Sequence, residues 1–359
     1  MSSSHLPPDA LSVVIDASEY DTQGFGAGWE TRRHRHESVA NRASFEARAD
    51  WLRLVGPTDE FGSCNPPNGN WTALTMPFCR PERMWIAAYI VEFAFIHDTV
   101  IERQLPDVQS ENHQITDGGD VASPPAIVDP QLGKKKLRAR MTRDLLAIDP
   151  VRGRECLAEW QNMIDLTHRE KTTSFASVEE YVEFRLVDCG APWMASLMLY
   201  GMGITLPASE REELKHVTRP FCAAAGLQND YFSFVREYAD QRSDAAASTP
   251  IMINLVALLT QWRGVDIATA KQLTREVTIG YEREYDLRCA EYRARKHALG
   301  QEVAEEVALY LRGVRCLLAG NIVWSSNCPR YHAKMRYDPN AGLEDALTLE
   351  KRGVDISVI

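Results

Sequence analysis

Three oxygen-bearing side chains recur every four residues between positions 229 and 237. They are Asn229, Ser233 and Glu237, which offer an amide oxygen, a hydroxyl and a carboxylate. On an α-helix, residues four apart drift by only about 40° around the axis and rise by about 6 Å, so the three would share one strip of the surface. Hard oxygen ligands suit Mg²⁺, which prefers octahedral oxygen ligation and often keeps waters or phosphate oxygens. Taken alone, the spacing is equally typical of the polar face of a surface helix.

A second group of carboxylates follows an apolar run far upstream. The run 87–96 carries a single charged residue, and Asp98 and Glu102 come directly after it. Asp98 and Glu102 are four apart and share a helical face, with Val91 and Phe95 one or two turns earlier on that face. By themselves these acids fit the solvated end of a core helix. Two oxygen-rich strips on two apolar helices together predict a metal cluster across the mouth of a helical barrel.

Helical periodicity dominates the rest of the chain, whereas strand signals are sparse. The pattern predicts helices over residues 39–54, 81–103, 131–147, 151–170, 178–201, 207–240, 250–262, 266–298 and 301–327. A composition rich in Asp, Gly, Pro and Ser predicts an exposed loop at 104–130, and the polar residues 241–249 predict a mobile lid beside the Asn229 motif. With 359 residues, 45% of them apolar, the chain can bury one large helical core.

Charge and hydropathy argue against several classes of function. A net charge of −10 and a pI near 5.5 argue against nucleic-acid binding, which leaves a basic footprint. The short basic run 32–36 is followed by Glu37 and predicts the solvated start of a helix. No uninterrupted apolar run reaches the roughly 18–20 residues of a membrane span, and residues 1–5 lack the apolar core of a signal peptide. Eight cysteines without a C-x-x-C pair predict reduced thiols in a cytoplasmic protein and argue against a structural zinc site.

Several stretches, taken together, resemble class I terpene synthases, and more narrowly the cyclisation domain of fungal bifunctional di- and sesterterpene synthases. Besides Asp98 and the N-D-x-x-S-x-x-x-E motif at 229–237, they are Lys134–Leu137, Leu145–Pro150, Tyr181–Trp193 and Gly320–His332. The resemblance implies an all-α isoprenoid-synthase bundle around an apolar cavity, with a cyclase domain over 1–337 and a tail or linker over 338–359. In the bifunctional family a prenyltransferase domain follows such a tail.

The resemblance also implies roles for the oxygen-bearing residues. Asp98 matches the first metal-binding aspartate of the family's D-D-x-x-D/E motif, and Glu102 matches its last acidic position. Thr99 stands where the family usually has a second aspartate, which is a departure from the pattern. The strip at 229–237 matches the three side chains that hold one Mg²⁺, and the resemblance implies three such ions in all.

The basic motifs resemble the family's diphosphate-binding set. Arg185 matches the arginine that senses the diphosphate, and Asp188 matches the linker that bonds to it. Cys189 and Gly190 match the helix break whose backbone carbonyl assists ionisation. The remaining matches to diphosphate contacts are Arg236, Arg330 and Tyr331. Arginine suits this role because its planar, permanently charged fork bonds phosphate oxygens in pairs.

Ionising an allylic diphosphate forms a carbocation and an inorganic diphosphate anion. Metal ions and arginines stabilise the charge that grows on the leaving group, whereas the cation must be kept from water in a closed apolar cavity. Aromatic faces each stabilise positive charge by roughly 0.5–2 kcal/mol. The expected wall residues are Val91, Phe95, Phe184, Trp193 and Trp324. Trp324 is also expected to take part in catalysis, because it precedes Arg330 in a matching motif; for the other aromatics, ordinary core packing is the alternative.

The expected activity is the Mg²⁺-dependent ionisation of C20 geranylgeranyl or C25 geranylfarnesyl diphosphate and its cyclisation to a polycyclic terpene. One alternative is an enzyme that elongates isoprenyl diphosphates, but it needs aspartate-rich motifs on two helices and this chain has no Asp-Asp pair. The other is a catalytically silent helical module. Thr99 in place of the usual aspartate is consistent with that alternative, whereas the retained metal and arginine motifs argue against it. The expected partners are the diphosphate substrate and a covalently linked prenyltransferase domain, without nucleic acid or membrane; a homo-oligomer stays open.

Overall fold

The computed structural model describes residues 7–103, 130–167, 174–243 and 252–337. Within these ranges the regular structure is almost entirely helical, which confirms the all-α prediction. The helices are α1 (Glu37–Leu54), α2 (Trp71–Thr75), α3 (Pro81–Arg103), α4 (Pro130–Ile148), α5 (Pro150–Thr167), α6 (Val178–Asp188), α7 (Ala191–Met202), α8 (Ala208–Ser243), α9 (Leu255–Arg263), α10 (Ile267–Ala298) and α11 (Glu305–Asn327). Two small antiparallel hairpins accompany them, β1 (Ser12–Ile15) with β2 (Thr31–His34) and β3 (Cys64–Asn65) with β4 (Gly69–Asn70).

Most of the predicted helices form close to their expected ends, but the prediction of one continuous helix over 178–201 was wrong. Helix α6 ends at Asp188 and α7 begins at Ala191. Between them Gly190 adopts the left-handed backbone conformation, with φ 68°, which a side chain disfavours. Its amide donates to the carbonyl of Val187 at 3.1 Å. The interruption falls at the Cys189–Gly190 position where the family resemblance implied a helix break.

The two predicted loops fall mostly outside the described residues. Of the segment 104–130, only Pro130 is described, and it is the first residue of α4. Residues 241–243 are the last residues of α8 rather than the start of a lid. The remainder of that predicted lid, like the tail 338–359, lies outside the described residues.

The basic run 32–36 covers the end of β2 and the two exposed residues before α1, so the prediction of a solvated helix start was wrong only for its buried strand residues. Arg32 and His34 lie on β2 and are buried. Arg32 Nε donates to Ser12 Oγ at 2.8 Å, which joins β2 to β1. His34 Nε2 hydrogen-bonds the carbonyl of Cys79 at 2.7 Å, and burial lowers the pKa of His34 to about 4. Helix α1 begins only afterwards, at Glu37.

Helix α3 is anchored by the one charge within its apolar run. Glu92 is fully buried, and burial of a charge is tolerated when it is paired and hydrogen-bonded. Its carboxylate accepts from Arg48 Nη1 of α1 at 2.9 Å and from the backbone amide of Ser63 at 2.9 Å. These bonds hold α3 against α1 and against the segment before β3, two turns below Asp98.

Helix α8 runs between the two larger apolar clusters of the described chain. The main cluster gathers side chains of α1–α5, α7, α8, α10 and α11, and the second lies among α6, α8, α9 and α10. Helix α8 packs against α6, α9, α10 and α11, so the segment 229–237 has neighbours on several sides. Helix α11 is long and apolar enough to cross a membrane by composition, but 72% of its apolar window is buried within the protein, as in a core helix.

Candidate active site

Asp98 and Arg330 bring the end of α3 to the segment that follows α11. The Asp98 side chain is 64% exposed, and its Oδ2 lies 3.8 Å from Nη2 of Arg330, whose side chain is only 4% exposed. The guanidinium also lies over the ring of Phe95, 5.5 Å from its centroid. The proposed metal position and a proposed diphosphate contact therefore adjoin. The side chains of Thr99 and Glu102 lie outside the described part of the structure.

Aromatic rings form a connected group beneath Arg330. Phe95 and Trp324 make an edge contact with centroids 5.3 Å apart, and Trp324 contacts Tyr331 at 5.5 Å. Trp71 of α2 reaches the other edge of Phe95 at 5.8 Å. The group joins α3, α2 and α11 directly below a buried arginine. Such faces can stabilise positive charge that develops nearby.

Arg185, near the end of α6, is the centre of a buried polar network with α8. Its Nη1 donates to Asp188 Oδ2 at 2.6 Å, and its Nη2 donates to Asp230 Oδ1 at 2.9 Å and to Asn229 Oδ1 at 3.1 Å. Burial alone would lower the pKa of Arg185, but Asp230, Tyr181 and Asp188 raise it well above its usual value. The guanidinium is therefore permanently charged and aimed at the first residue of the metal motif.

Helix geometry places the three predicted metal ligands on one strip, because residues 229–237 lie within α8. Ser233 Oγ donates its hydrogen to the backbone carbonyl of Asn229 at 2.7 Å, which leaves its lone pairs for a cation. Glu237 Oε2 accepts from Nδ2 of Asn254 at 3.0 Å. An amide oxygen, a hydroxyl and a carboxylate fit Mg²⁺. Across the described ranges no three His, Cys, Asp or Glu side chains form a metal cluster; the strip has one carboxylate, and Asp98 lies on another helix.

Tyr331 connects the polar network around Arg185 with the aromatic group beneath Arg330. Its hydroxyl accepts from Asn229 Nδ2 at 3.2 Å, while its ring contacts Trp324. Burial raises the pKa of the Tyr331 phenol, so the hydroxyl stays neutral. A continuous set of contacts thus runs from Asp188 and Arg185 through Asn229 to Tyr331, and the preceding residue, Arg330, is paired with Asp98.

Phe184 lies apart from the other wall aromatics. It packs against Phe175 with centroids 5.2 Å apart, in the second cluster. Arg185 occupies the side of α6 that faces α8, and adjacent helical residues are rotated by about 100°. The structure therefore does not bring Phe184 to the group formed by Phe95 and Trp324.

The remaining predicted residues are buried nearby or paired locally. Trp193 packs against Trp160 with centroids 5.0 Å apart in the main cluster, and Val91 is fully buried in the same cluster. Arg236 Nη1 lies 3.9 Å from Asp240 one turn further along α8. Cys189 is partly buried and directs its thiol to the carbonyl of Cys222 at 3.7 Å.

A separate pocket of about 340 Å³ contains none of these residues. It lies between α10, α11 and the loop before β2, and it is lined by Gly28, Glu30, Cys289, Arg293, Ala308, Leu311, Arg312, Arg315 and Cys316. Arg312 is paired with Asp9 and Glu30, and Arg315 with Asp286. Because the pocket contains neither Asp98 nor the oxygen-bearing strip of α8, we assign the chemistry to the contacts around Arg185 and Arg330.

Sequence reasoning missed two buried residues that organise the site. Asp230, the second residue of the motif, accepts from Tyr181 Oη at 2.6 Å and from the backbone amide of Leu255 at 3.0 Å, besides its pairing with Arg185. Asn254 donates to Glu237 and to the carbonyl of Asp230 at 3.0 Å. The N-D dipeptide of the motif was a usable signal for Asp230. Nothing in the sequence around Asn254 marks it.

The chain is similar to fungal terpene synthases along most of its length. Residues 120–284 match the C-terminal metal-binding domain of terpene synthase family 2. Terpene cyclase ATR13 of Stachybotrys chlorohalonatus is 35% identical over 362 residues, which cover 96% of this chain and 91% of that protein. Variediene synthase of Emericella variicolor is 37% identical over 337 residues, covering 92% of this chain and 46% of that protein. The chain thus spans about half the length of the variediene synthases it matches.

Solved structures show the same fold. Aristolochene synthase from Penicillium roqueforti superposes with a TM-score of 0.61 at 20% identity, covering 83% of this chain and 97% of that one. The α-eudesmol synthase structure gives a TM-score of 0.61 at 21% identity, with 83% and 97% covered. Two observations point to the same family. One is the oxygen-bearing strip on α8 with the arginines around it, and the other is the identity to a terpene cyclase over nearly its full length. The chain belongs to the terpene synthase family.

Proposed function

We propose that this chain ionises a linear C20 or C25 allylic diphosphate in the presence of Mg²⁺ and cyclises the resulting carbocation to a polycyclic terpene. The observation that carries the proposal is the contact chain from Arg185 through Asn229 and Tyr331 to the Arg330–Asp98 pair. It unites diphosphate-type donors from α6 and the end of α11 with oxygen ligands on α8 and α3. A catalytically silent helical module would not need these donors and oxygen ligands together.

The arginines are proposed to bind and neutralise the diphosphate. Arg185 and Arg330 are both buried and charged, and a buried donor interacts with an anion more strongly than an exposed one. The Nε of Arg185 is buried without a hydrogen-bond partner among the described residues, so it retains a donor. Arg236, one residue before Glu237, is proposed as a third contact. Their combined charge stabilises the leaving group.

The proposed metal ligands are Asp98 on one wall and Asn229, Ser233 and Glu237 on the other. Bound Mg²⁺, three ions by the family resemblance, would supply positive charge to the oxygens of the departing diphosphate. Glu102, whose side chain is outside the described residues, is included from the sequence alone. Ser233 donates its hydrogen to a backbone carbonyl, so its oxygen would act as an acceptor towards a cation.

The aromatic group is proposed to line the cavity in which the cation rearranges. Phe95 contacts both Trp324 and Trp71, and Arg330 lies over its ring. The proposed apolar wall would therefore adjoin the bound diphosphate. Each ring face is worth roughly 0.5–2 kcal/mol to a nearby cation. The backbone break at Cys189 and Gly190 lies beside Arg185 and is proposed to present a carbonyl to the ionising carbon.

The substrate length is proposed from the names of similar proteins. They include a bifunctional sesterterpene synthase of Talaromyces wortmannii, 31% identical, and a bifunctional type I diterpene synthase of Aspergillus flavipes, 28% identical. A diterpene derives from a C20 precursor and a sesterterpene from a C25 precursor. We propose a cyclase domain over 1–337, a tail at 338–359 and, in a longer protein, a linked prenyltransferase domain. The eight free cysteines support a cytoplasmic location.

Incubation of the purified chain with C15, C20 and C25 allylic diphosphates, each with and without isopentenyl diphosphate, tests this function. Cyclic hydrocarbons from C20 or C25 without isopentenyl diphosphate are the expected products. Longer diphosphates that need isopentenyl diphosphate would show an elongating enzyme instead. Intact substrate in every reaction would contradict a catalytic function.

A further inference from the structure

Asn254 caps helix α9 and reaches the metal motif with the same side chain. Its Oδ1 accepts from the backbone amide of Val256 at 3.0 Å, which satisfies the first turn of α9. Its Nδ2 donates to Glu237 Oε2 at 3.0 Å and to the backbone carbonyl of Asp230 at 3.0 Å. The residue is fully buried. Every polar atom of this amide therefore has a partner.

These bonds leave the amide one orientation. The cap requires the oxygen of Asn254 to face α9, so the nitrogen must face α8. There it contacts two points of the motif, the carbonyl of Asp230 and the carboxylate of Glu237, which are two helical turns apart on the same face. One side chain at the start of α9 thus bonds both the Glu237 carboxylate and the backbone of the residue after Asn229.

We propose that Asn254 is a positioning residue for the metal–diphosphate site, acting by holding the Glu237 carboxylate in its ligating orientation. Carboxylates that ligate metals are commonly oriented by hydrogen-bonded partners behind them, and loss of such a partner typically costs about 10–100-fold in metal affinity or activity. The inference rests on the proposed function, because it requires Glu237 to serve as a Mg²⁺ ligand.

The chain also offers a matched control. Asp266 is likewise the side-chain N-cap of α10, accepting from the amide of Thr269 at 2.7 Å, but it is exposed and among the described residues its side chain bonds only α10. Serine and glycine both serve as helix N-caps. Asn254→Ser and Asn254→Gly therefore remove the donor to Glu237 while keeping a residue suited to the start of α9, and Asp266→Ser reproduces the change of cap alone.

The direct test is calorimetric binding of inorganic diphosphate at a fixed, sub-saturating Mg²⁺ concentration. We expect Asn254→Ser and Asn254→Gly to weaken binding by about 10-fold or more, and Asp266→Ser to leave it within about twofold. Circular dichroism and thermal unfolding establish that each variant is folded at the temperature of the titration. Binding by folded Asn254 variants within twofold of the unmodified chain would overturn the inference.

A coupling measurement separates positioning from a general structural effect. If Asn254 acts through Glu237, Asn254→Ser should change diphosphate binding by less than about twofold when added to Glu237→Ala, because the group it orients is gone. An equal loss in both backgrounds would overturn the positioning role. Failure of the unmodified chain to bind diphosphate with Mg²⁺ would instead overturn the proposed function, and the inference with it.

Discussion

Nη2 of Arg330 lies 3.8 Å from Oδ2 of Asp98, and the same guanidinium lies over the ring of Phe95, less than one turn away on α3. One arginine therefore contacts both the proposed metal position and the proposed cavity wall. When a diphosphate with Mg²⁺ binds, Asp98 is expected to turn to the metal and Arg330 to the diphosphate. We expect the pair to keep both groups near those positions until then.

Arg330→Lys is expected to lower kcat/KM substantially although it keeps the charge. Lysine lacks the planar fork that bonds phosphate oxygens in pairs and stacks on an aromatic ring, and losing one preorganised donor typically costs about 100–1,000-fold. Steady-state kinetics with the preferred diphosphate provide the measurement. Arg336→Lys, at an exposed position over Phe61, is the matched control and should stay near the unmodified rate. Equal rates for the two variants would remove Arg330 from the diphosphate contacts.

Alanine at Asp98 or at Glu237 is expected to abolish most activity. Loss of a partner behind a metal ligand already costs about 10–100-fold, so loss of the ligand itself should cost at least that. The readout is hydrocarbon formation across a Mg²⁺ titration, in which a weakened site requires more metal for half-maximal rate. If either variant kept its activity within twofold, its residue would not be a ligand.

Asp230→Asn is expected to destabilise the fold by about 3 kcal/mol, because breaking a buried ion pair from one side leaves a charge uncompensated. Arg185 would lose its 2.9 Å partner while keeping Asp188. Urea unfolding gives the free energy directly. Glu183→Gln, which removes the exposed pair between Glu183 of α6 and Arg219 of α8, should cost less than about 1 kcal/mol. Similar losses for both would mean that the buried network contributes no more than a surface pair.

Stability is expected to depend on pH through Asp149, which accepts from Arg83 at 2.9 Å and Arg152 at 2.8 Å. Burial would raise the pKa of Asp149, but Arg152 and Arg83 lower it to about 2, from an ordinary value of 3.8. The charged carboxylate therefore stabilises the fold fully above the ordinary pKa, and this contribution is lost as pH falls towards 2.

The corresponding variant is Asp149→Asn, compared with the unmodified chain by urea unfolding across pH. The variant should be less stable at neutral pH, and the difference in unfolding free energy should shrink below pH 3.8. Asp144→Asn, a more exposed carboxylate on α4, should show a much smaller difference. A difference that stayed constant down to pH 2 would rule out the Asp149 charge as its source.

The strip of Asn229, Ser233 and Glu237 could be predicted from spacing because all three lie on one uninterrupted helix. The break between α6 and α7 could not be predicted from the apolar pattern, which continues through Gly190; only the family resemblance at Cys189 and Gly190 implied it. The burial of Arg32 on β2 could not be predicted for a related reason: its charged group bonds a distant partner, Ser12, which local composition does not show.

In the site too, the features that could not be predicted from the sequence depend on contacts between different helices. Asn254 follows Glu237 by 17 residues and caps another helix, so their bond depends on how α9 packs on α8. Phe184 was expected at the wall because its aromatic face could stabilise positive charge. Its actual place follows from which side of α6 faces α8, and that choice is made by the buried pair between Arg185 and Asp230.

The central claim is that this chain ionises an allylic diphosphate with the help of Mg²⁺, and diphosphate release is its most direct measure. The purified chain is mixed with C20 or C25 diphosphate, with Mg²⁺ or with a chelator, while released diphosphate and hydrocarbon are quantified together. We expect both products in equal amounts with Mg²⁺, near-complete loss of both with the chelator, and the same loss with Mg²⁺ in the Asp98→Ala variant. Release that is unchanged by chelation, or by loss of Asp98, would contradict the account.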